Sequence, residues 1–512
     1  MAKSTKKSKS GKSKAKLTLG IAITVMALFV LGYFVYFAGI LPQVLPGMTI
    51  TETKNGVSTK ICDLSVIETN YYYMSIYGMY SQYGIMNAEN LDTVVDSSTG
   101  KTYREVLLSQ GAEEAMQLIL MEREADSKGF REMSQAARCA KLELESLRGI
   151  SKLYNYPTVD RYLAAQYGTG MTSRLYRKLI QRSLYSDEYT QYISQFDNTI
   201  IPSDADINNA YKADPNAFEN VSFNYYLITA TGSDGKADIA QSKKDAQWIA
   251  DKSTDAKSFR EAVMLYLKGK GDTETLKAYE NDNDPTAIKD LSRDSVKSTY
   301  DEKLAEFLFA DGRKAGDKTV IETASGAYVV IFNEKNLDEE KLVTYRTLTL
   351  SNDAKNGKTR TDEQVAADAK ALEEKAKQLA PAGMDPLSFY KLVKTNTNDQ
   401  DEMMSGGYAS SETKDDVLGT SDGKEASAEK TAVAEWLFDA ARKQGDIKIV
   451  VSSDNKEVTI YYFERSAPAW MGDYRETKIT ENVTKLRESL KATNPQYVIN
   501  SDLCKNLIYG AS

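Results

Sequence analysis

The chain has 512 residues with 65 basic and 73 acidic side chains, a net charge of −8, and no histidine. Without imidazole it cannot build a His-ligated zinc centre or a Ser-His-Asp or Cys-His catalytic centre, and its negative balance argues against nucleic acid as a partner. Cys62, Cys139 and Cys504 stand far apart with no Cys-x-x-Cys or metal-ligand spacing, so no metal and no cofactor is expected.

Residues 1–16 hold seven lysines and no acid, which reads as a cytoplasmic tail; setting these seven aside takes the charge from −8 to −15 for the rest. Leu17 through Leu41 carry no charge. That run exceeds the roughly 20 residues needed to cross a bilayer and predicts a transmembrane helix over 17–41. It is longer than the apolar core of a cleaved signal and is followed by Leu41-Pro42-Gln43-Val44-Leu45-Pro46 rather than a small-x-small site, so retention as an anchor is expected over cleavage. With the lysines inside, everything after Leu41 lies outside the membrane, where a disulfide is permitted although an odd count leaves one thiol over.

After a linker over 42–57, residues 58–218 pattern as a helical module, with apolar residues at helical period such as Val106, Leu107, Met116, Leu118, Ile119 and Leu120. Tyr73, Tyr77 and Tyr80 fall at i, i+4, i+7 with Met74 and Met79 beside them. The stripe reads either as plain core or as an adaptable amphipathic groove. Ser203 with Asp206 forms a capping box that opens a short helix ending before Asp214-Pro215.

The remainder holds one passage twice. Ala305-Glu306-Phe307-Leu308-Phe309 runs into Arg313-Lys314-Ala315-Gly316-Asp317, and 129 residues on, Ala434-Glu435-Trp436-Leu437-Phe438 runs into Arg442-Lys443-Gln444-Gly445-Asp446. Each copy is a helix end followed by β-rich runs, 318–321 with 327–332 and 447–451 with 458–463, and each is preceded by an opening strand at Val221 or Val343. Charged helical stretches, Gln241–Lys268 and Asp362–Leu379, intervene, and the acidic loops lack EF-hand spacing and read as solvated surface. A last helical stretch with Val483, Leu486 and Leu490 on one face needs a partner to bury that face, and the helical module is the expected one. If the chain end folds back in this way, Cys139 and Cys504 are either bridged or two buried thiols.

The order of strand, helices, Ser388-Phe389-Tyr390-Lys391-Leu392-Val393, Ser405-Gly406-Gly407-Tyr408, Glu435-Trp436-Leu437-Phe438 and Gly445-Asp446 resembles the parvulin family of peptidyl-prolyl isomerases. Tyr71-Tyr72-Tyr73 after a short strand, and Pro202 to Phe218 before the first repeat, look like the SurA/PrsA-like extracytoplasmic foldases of that family. The resemblance implies an α+β chain. Its parts are an N-terminal transmembrane helix, a helical chaperone module completed by the C-terminal segment 467–512, and two parvulin-like domains over 219–335 and 342–466. It implies unfolded exported polypeptides as partners, and the lysine-rich tail, the expected anchor and the scarcity of cysteine suit a bacterial cell envelope as the setting. The family's two facing histidines are replaced, with Gly326-Ala327-Tyr328-Val329 and Glu457-Val458-Thr459-Ile460 standing at the terminal motif. Its apolar pocket positions hold Tyr300 and Leu304 in the first repeat and Glu429 and Val433 in the second. By these departures weak or no isomerase activity is expected, and the repeats read as binding modules. Tyr73, Tyr77, Tyr80, Tyr328, Phe389, Trp436 and Phe438 are the candidate substrate-binding residues, with no catalytic residue. The alternative reading is a cell-envelope scaffold whose parvulin-like domains serve only as interaction modules.

Overall fold

The computed structural model describes residues 26, 39–85, 88–232, 235–279, 283–352, 360–420, 423 and 425–505. The protein is α+β, and among the described residues no helix is long and apolar enough to cross a membrane. This corrects the expectation of a transmembrane helix over 17–41. Residues 17–25 and 27–38 lie outside the described ones, and the end of the uncharged run belongs to a separate short helix, α1 (Ile40–Val44). Gly39 enters α1 with φ +66°, and a Cβ placed on it would meet the Gly170 backbone at 2.6 Å, so this end of the run packs against protein.

Residues 42–57, read as a linker, are structured too. Strand β1 (Pro46–Lys54) pairs antiparallel with β2 (Val57–Ser65), and Ser65 with Glu68 forms a capping box that starts α2 (Val66–Gln82). A small hairpin, β3 (Val94–Asp96) and β4 (Lys101–Thr102), leads into the long α3 (Tyr103–Ser127). Helices α4 (Ala136–Leu153), α5 (Val159–Tyr167) and α6 (Ser173–Phe196) complete a core of Ile67, Tyr72, Ala115, Met116, Ile119, Ala140, Leu163 and Leu179. The capping box at Ser203 and Asp206 opens α7 (Asp204–Ala213), which leads to the first repeat.

That repeat contains β5 (Asn220–Ile228), α8 (Ile239–Lys252), α9 (Ala256–Lys270), α10 (Thr273–Leu276), β6 (Ala287–Leu291), α11 (Arg293–Thr299), α12 (Glu302–Leu308), β7 (Lys318–Glu322) and β8 (Ala327–Asn336). The charged stretch Gln241–Lys268 is broken because Asp255 caps a new helix through Ser258. The second repeat contains β9 (Lys341–Ser351), α13 (Asp362–Leu379), α14 (Pro386–Asn396), α15 (Gln400–Ser405), β10 (Tyr408–Glu412), α16 (Lys414–Leu418), α17 (Ala428–Leu437), β11 (Ile447–Val451) and β12 (Glu457–Pro468). The two antiparallel sheets share one order, β6-β5-β8-β7 and β10-β9-β12-β11. Each buries one face under the helices that follow its opening strand, as Ile249 and Phe259 do in the first and Ala376 and Phe389 in the second. The other face packs under the signature helix, through Leu304 and Leu308 or Val433 and Leu437.

The repeated signature has one physical explanation in both copies. The guanidinium of Arg313 lies 3.8 Å from the centre of the Phe307 ring, and that of Arg442 lies 5.3 Å from Trp436. Each arginine also reaches the acid four residues on, Asp317 or Asp446. Those carboxylates accept the backbone N–H of Lys314 and Lys443, both at 3.0 Å, closing the turn. Gly316 and Gly445, each at φ +91°, donate their N–H to the carbonyls of Phe332 and Phe463, which ties the turn to the central strand. A Cβ at Gly445 would meet Gly383 Cα at 2.9 Å. Gly445→Ala is therefore expected to cost about 1–3 kcal/mol through backbone strain, read as a lower urea midpoint with an unchanged slope.

After the second repeat, α18 (Ala469–Ser489) returns to the helical module, where Val483 is buried with Met121, Phe130, Tyr185, Tyr189 and Ile193, and Leu486 and Leu490 pack beside it. Strand β13 (Gln496–Ile499) then pairs with β1, Met48 opposite Ile499 through Thr51 opposite Gln496, making the sheet β13-β1-β2. The last described helix, α19 (Ser501–Lys505), places Cys504 against Val66, Tyr73 and Leu107. All three cysteines are free: Cys139 sits with Met403 and Met404 in a different cluster, so the bridge to Cys504 is not formed.

Candidate functional site

In the first repeat, the face of the sheet under α11 and α12 ends in an open aromatic surface. Strand alternation sets Phe223 and Tyr225 on that face. Tyr225 pairs with Val330 and Leu227 with Tyr328, so Tyr225 and Tyr328 are diagonal cross-strand neighbours. Their ring centres are 5.9 Å apart. Tyr300, at the end of α11, completes the group, edge-on to Tyr225 at 4.9 Å. All three residues are half-buried, so part of each stays open to solvent. Burial pushes the Tyr300 and Tyr328 phenols up, aided in both by Tyr225 and for Tyr328 by Asp301, so they stay neutral at ordinary pH. Such a surface offers aromatic faces to apolar side chains and hydroxyls to backbone amides and carbonyls.

The corresponding face of the second repeat has different chemistry. Opposite residues Thr349 and Thr459 hold their hydroxyls 3.4 Å apart, and Tyr345 and Tyr461 have ring centres 6.2 Å apart. Burial raises the Tyr461 phenol, and Glu429 adds to the shift. The edge of β9 is closed: Glu402 accepts from Thr347 Oγ1 at 3.3 Å, from the Thr349 N–H at 3.0 Å and from Thr397 Oγ1 at 2.7 Å.

The seven residues expected to bind substrate are not gathered in one place. Tyr328 belongs to the tyrosine group just described. Phe389 is 0% exposed, its ring 4.8 Å from Tyr462, and so it is a core residue rather than a ligand contact. Trp436 lies under Arg442 and serves the repeated turn, while Phe438 caps the end of α17 and its carbonyl accepts from Lys341 Nζ at 2.9 Å. In the helical module Tyr73 is 1% exposed among Val66, Leu107 and Cys504, while Tyr77 and Tyr80 are half-buried beside it. The stripe is core at its start because α3 crosses it closely, a Cβ on Gly111 meeting the Tyr73 nitrogen at 2.9 Å. It opens only at its end, where Met79, Tyr83 and Ile85 are 48, 75 and 59% exposed.

Sequence reasoning passed over Tyr225, whose signal was the alternation of Phe223 and Tyr225 along β5. It also missed the joint between the second repeat and the helical module. There Glu188 of α6, 0% exposed, accepts the N–H groups of Gln135 and Ala136 at the start of α4 and the side chains of Ser134 and Lys394. Lys394 also donates to Tyr390 Oη at 2.9 Å; burial pulls its ammonium down and Glu188 opposes that. Arg346, also fully buried, bonds Glu464 at 2.9 Å and Gln195 at 2.7 Å between the rings of Phe196 and Tyr408.

Among the described residues no group of acids and cysteines is placed to hold a metal ion. In comparison with known proteins, the chain matches no family model and no curated protein significantly.

Proposed function

We propose that this protein is an extracytoplasmic chaperone of the parvulin-like foldase type that binds unfolded or partly folded exported polypeptides. The observation that carries the reading is the open group of Tyr225, Tyr300 and Tyr328. Half-exposed aromatic rings accept many side chains without demanding one sequence, which a binder of varied unfolded segments requires. The exposed Met79, Tyr83 and Ile85 add a second adaptable apolar surface. The role is binding rather than histidine-dependent chemistry, since the chain has no histidine. The extracytoplasmic setting rests on the resemblance of the repeats' residues to exported foldases.

The test is the affinity of the full chain for a fluorescently labelled, permanently unfolded polypeptide. The double variant Tyr300→Ala, Tyr328→Ala is expected to bind about tenfold more weakly or worse, the scale of losing two aromatic contacts. Undiminished affinity in a variant whose thermal midpoint shows it folded would remove the tyrosine group from the function.

A further inference from the structure

The helical module contains a cleft of 560 Å³ that the client-binding role does not use. Its wall is one face of α6: Arg174, Arg177, Lys178, Gln181, Arg182 and Tyr185 follow at helical spacing from the N-terminal turn. Arg131 faces them, and Glu122 is the one acid in the lining. Five cations stand against Glu122 in the lining and against Asp126 and Glu68 just outside it, a local excess of +2 in a chain whose net charge is −8.

The acids near the cleft are already engaged. Glu122 is shared between Arg182 at 2.8 Å and Arg131 at 3.2 Å, Asp126 holds Arg131 at 2.7 Å, and Glu68 holds Lys178 at 2.8 Å. These pairs fix Arg131 and Arg182 in place. Arg174 and Arg177 have no ion pair among the described residues and are exposed at the rim. The positive end of the α6 dipole adds to the same field. A solvated helix face is the plain alternative, but such a face usually intersperses both signs, whereas this one is concave and its charged residues on α6, Arg174, Arg177, Lys178 and Arg182, are all cationic. With the forks of Arg131 and Arg182 partly taken up by Asp126 and Glu122, Arg174 and Arg177 are the two suited to bidentate contact with the oxygens of a phosphate group. A cleft of this volume holds a small molecule rather than a lone ion.

We propose that this cleft is a phosphate-binding site taking a polar molecule with one or more phosphate groups, either a soluble phosphate or a phospholipid headgroup. Arg131 and Arg182 form the fixed floor of the site, and Arg174 and Arg177 close on the ligand from its mouth. The proposal does not depend on client binding.

The experiment uses the full chain with two probes, inorganic pyrophosphate in titration calorimetry and vesicles of phosphatidylcholine with or without phosphatidylglycerol in sedimentation. Pyrophosphate is expected to bind, more weakly as salt rises. Arg174→Gln with Arg177→Gln, both at exposed positions, should weaken that binding by about tenfold or more while leaving the thermal midpoint unchanged. Binding to phosphatidylglycerol vesicles that pyrophosphate displaces and the double variant loses assigns the headgroup; pyrophosphate binding without such vesicle binding assigns a soluble phosphate. Failure of pyrophosphate to bind, or equal binding by the folded double variant, overturns the site, and vesicle binding that persists in that variant does not rescue it.

Discussion

Replacing Lys394 by Met should destabilise the protein by about 3–5 kcal/mol, the cost of leaving a buried carboxylate without its counter-charge. Glu188 and Lys394 are 0 and 2% exposed in their side chains, so neither has water to fall back on. In Lys394→Met, Glu188 keeps the N–H groups of Gln135 and Ala136 but loses its cationic partner, and Tyr390 Oη loses its donor. The effect should fall on the joint between α14 and the α4–α6 pair, because Cys139, Met403 and Met404 pack directly beside it. A thermal midpoint lower by on the order of 10 °C is the expected reading. Glu188→Gln combined with Lys394→Met keeps an acceptor for the α4 amides and buries no charge, so it should recover most of the loss. If the single variant melts as the parent does, the buried pair does not hold the second repeat in place.

Removing residues 469–512 should unfold the helical module first. The deletion takes away α18, whose Val483 is 7% exposed among Met121, Phe130, Tyr185 and Tyr189, and α19, whose Cys504 is 2% exposed against Val66 and Leu107. It also removes β13, leaving the backbone of Met48 through Thr51 without its partner strand. At 2–5 kcal/mol for each large buried side chain lost, a cost of about 5 kcal/mol or more is expected. Hydrogen exchange locates it: amides of β1 and α6 should lose protection, while the β7–β8 hairpin of the first repeat keeps its own. Equal protection of β1 with and without the segment would contradict this arrangement.

These two sites differ in how far the sequence foretells them. The apolar face of Val483, Leu486 and Leu490 stands at helical spacing, and a face of that kind must be covered by something, so its burial is legible from the residues alone. The repeated signature is legible for a similar reason, since Arg313 and Arg442 stand at the same offsets from an aromatic residue, a glycine and an aspartate. Lys394 and Glu188 are not, because a lone lysine and a lone glutamate 206 positions apart are by default solvated, and only the docking of two folded units brings them together. Arg346 is hidden from sequence reasoning in the same way. Spacing also fails to separate core from groove for Tyr73, which the close passage of α3 at Gly111 decides. The tyrosine group needs the strand register: Tyr225 lies opposite Val330 and Leu227 opposite Tyr328, which sets Tyr225 and Tyr328 on one face as diagonal neighbours. The uncharged run misleads through its length, since its last described residues form a separate short helix packed on Gly170.

General recognition of unfolded chains is read most directly by light scattering during aggregation of several unrelated denatured proteins, with and without the 512-residue chain. Suppression of aggregation for each of them, weakened when Tyr300 and Tyr328 are replaced by alanine, is the predicted result. No suppression for any of them, together with tight binding to one folded envelope protein, would contradict the chaperone reading and leave the two repeats as the interaction modules of a scaffold.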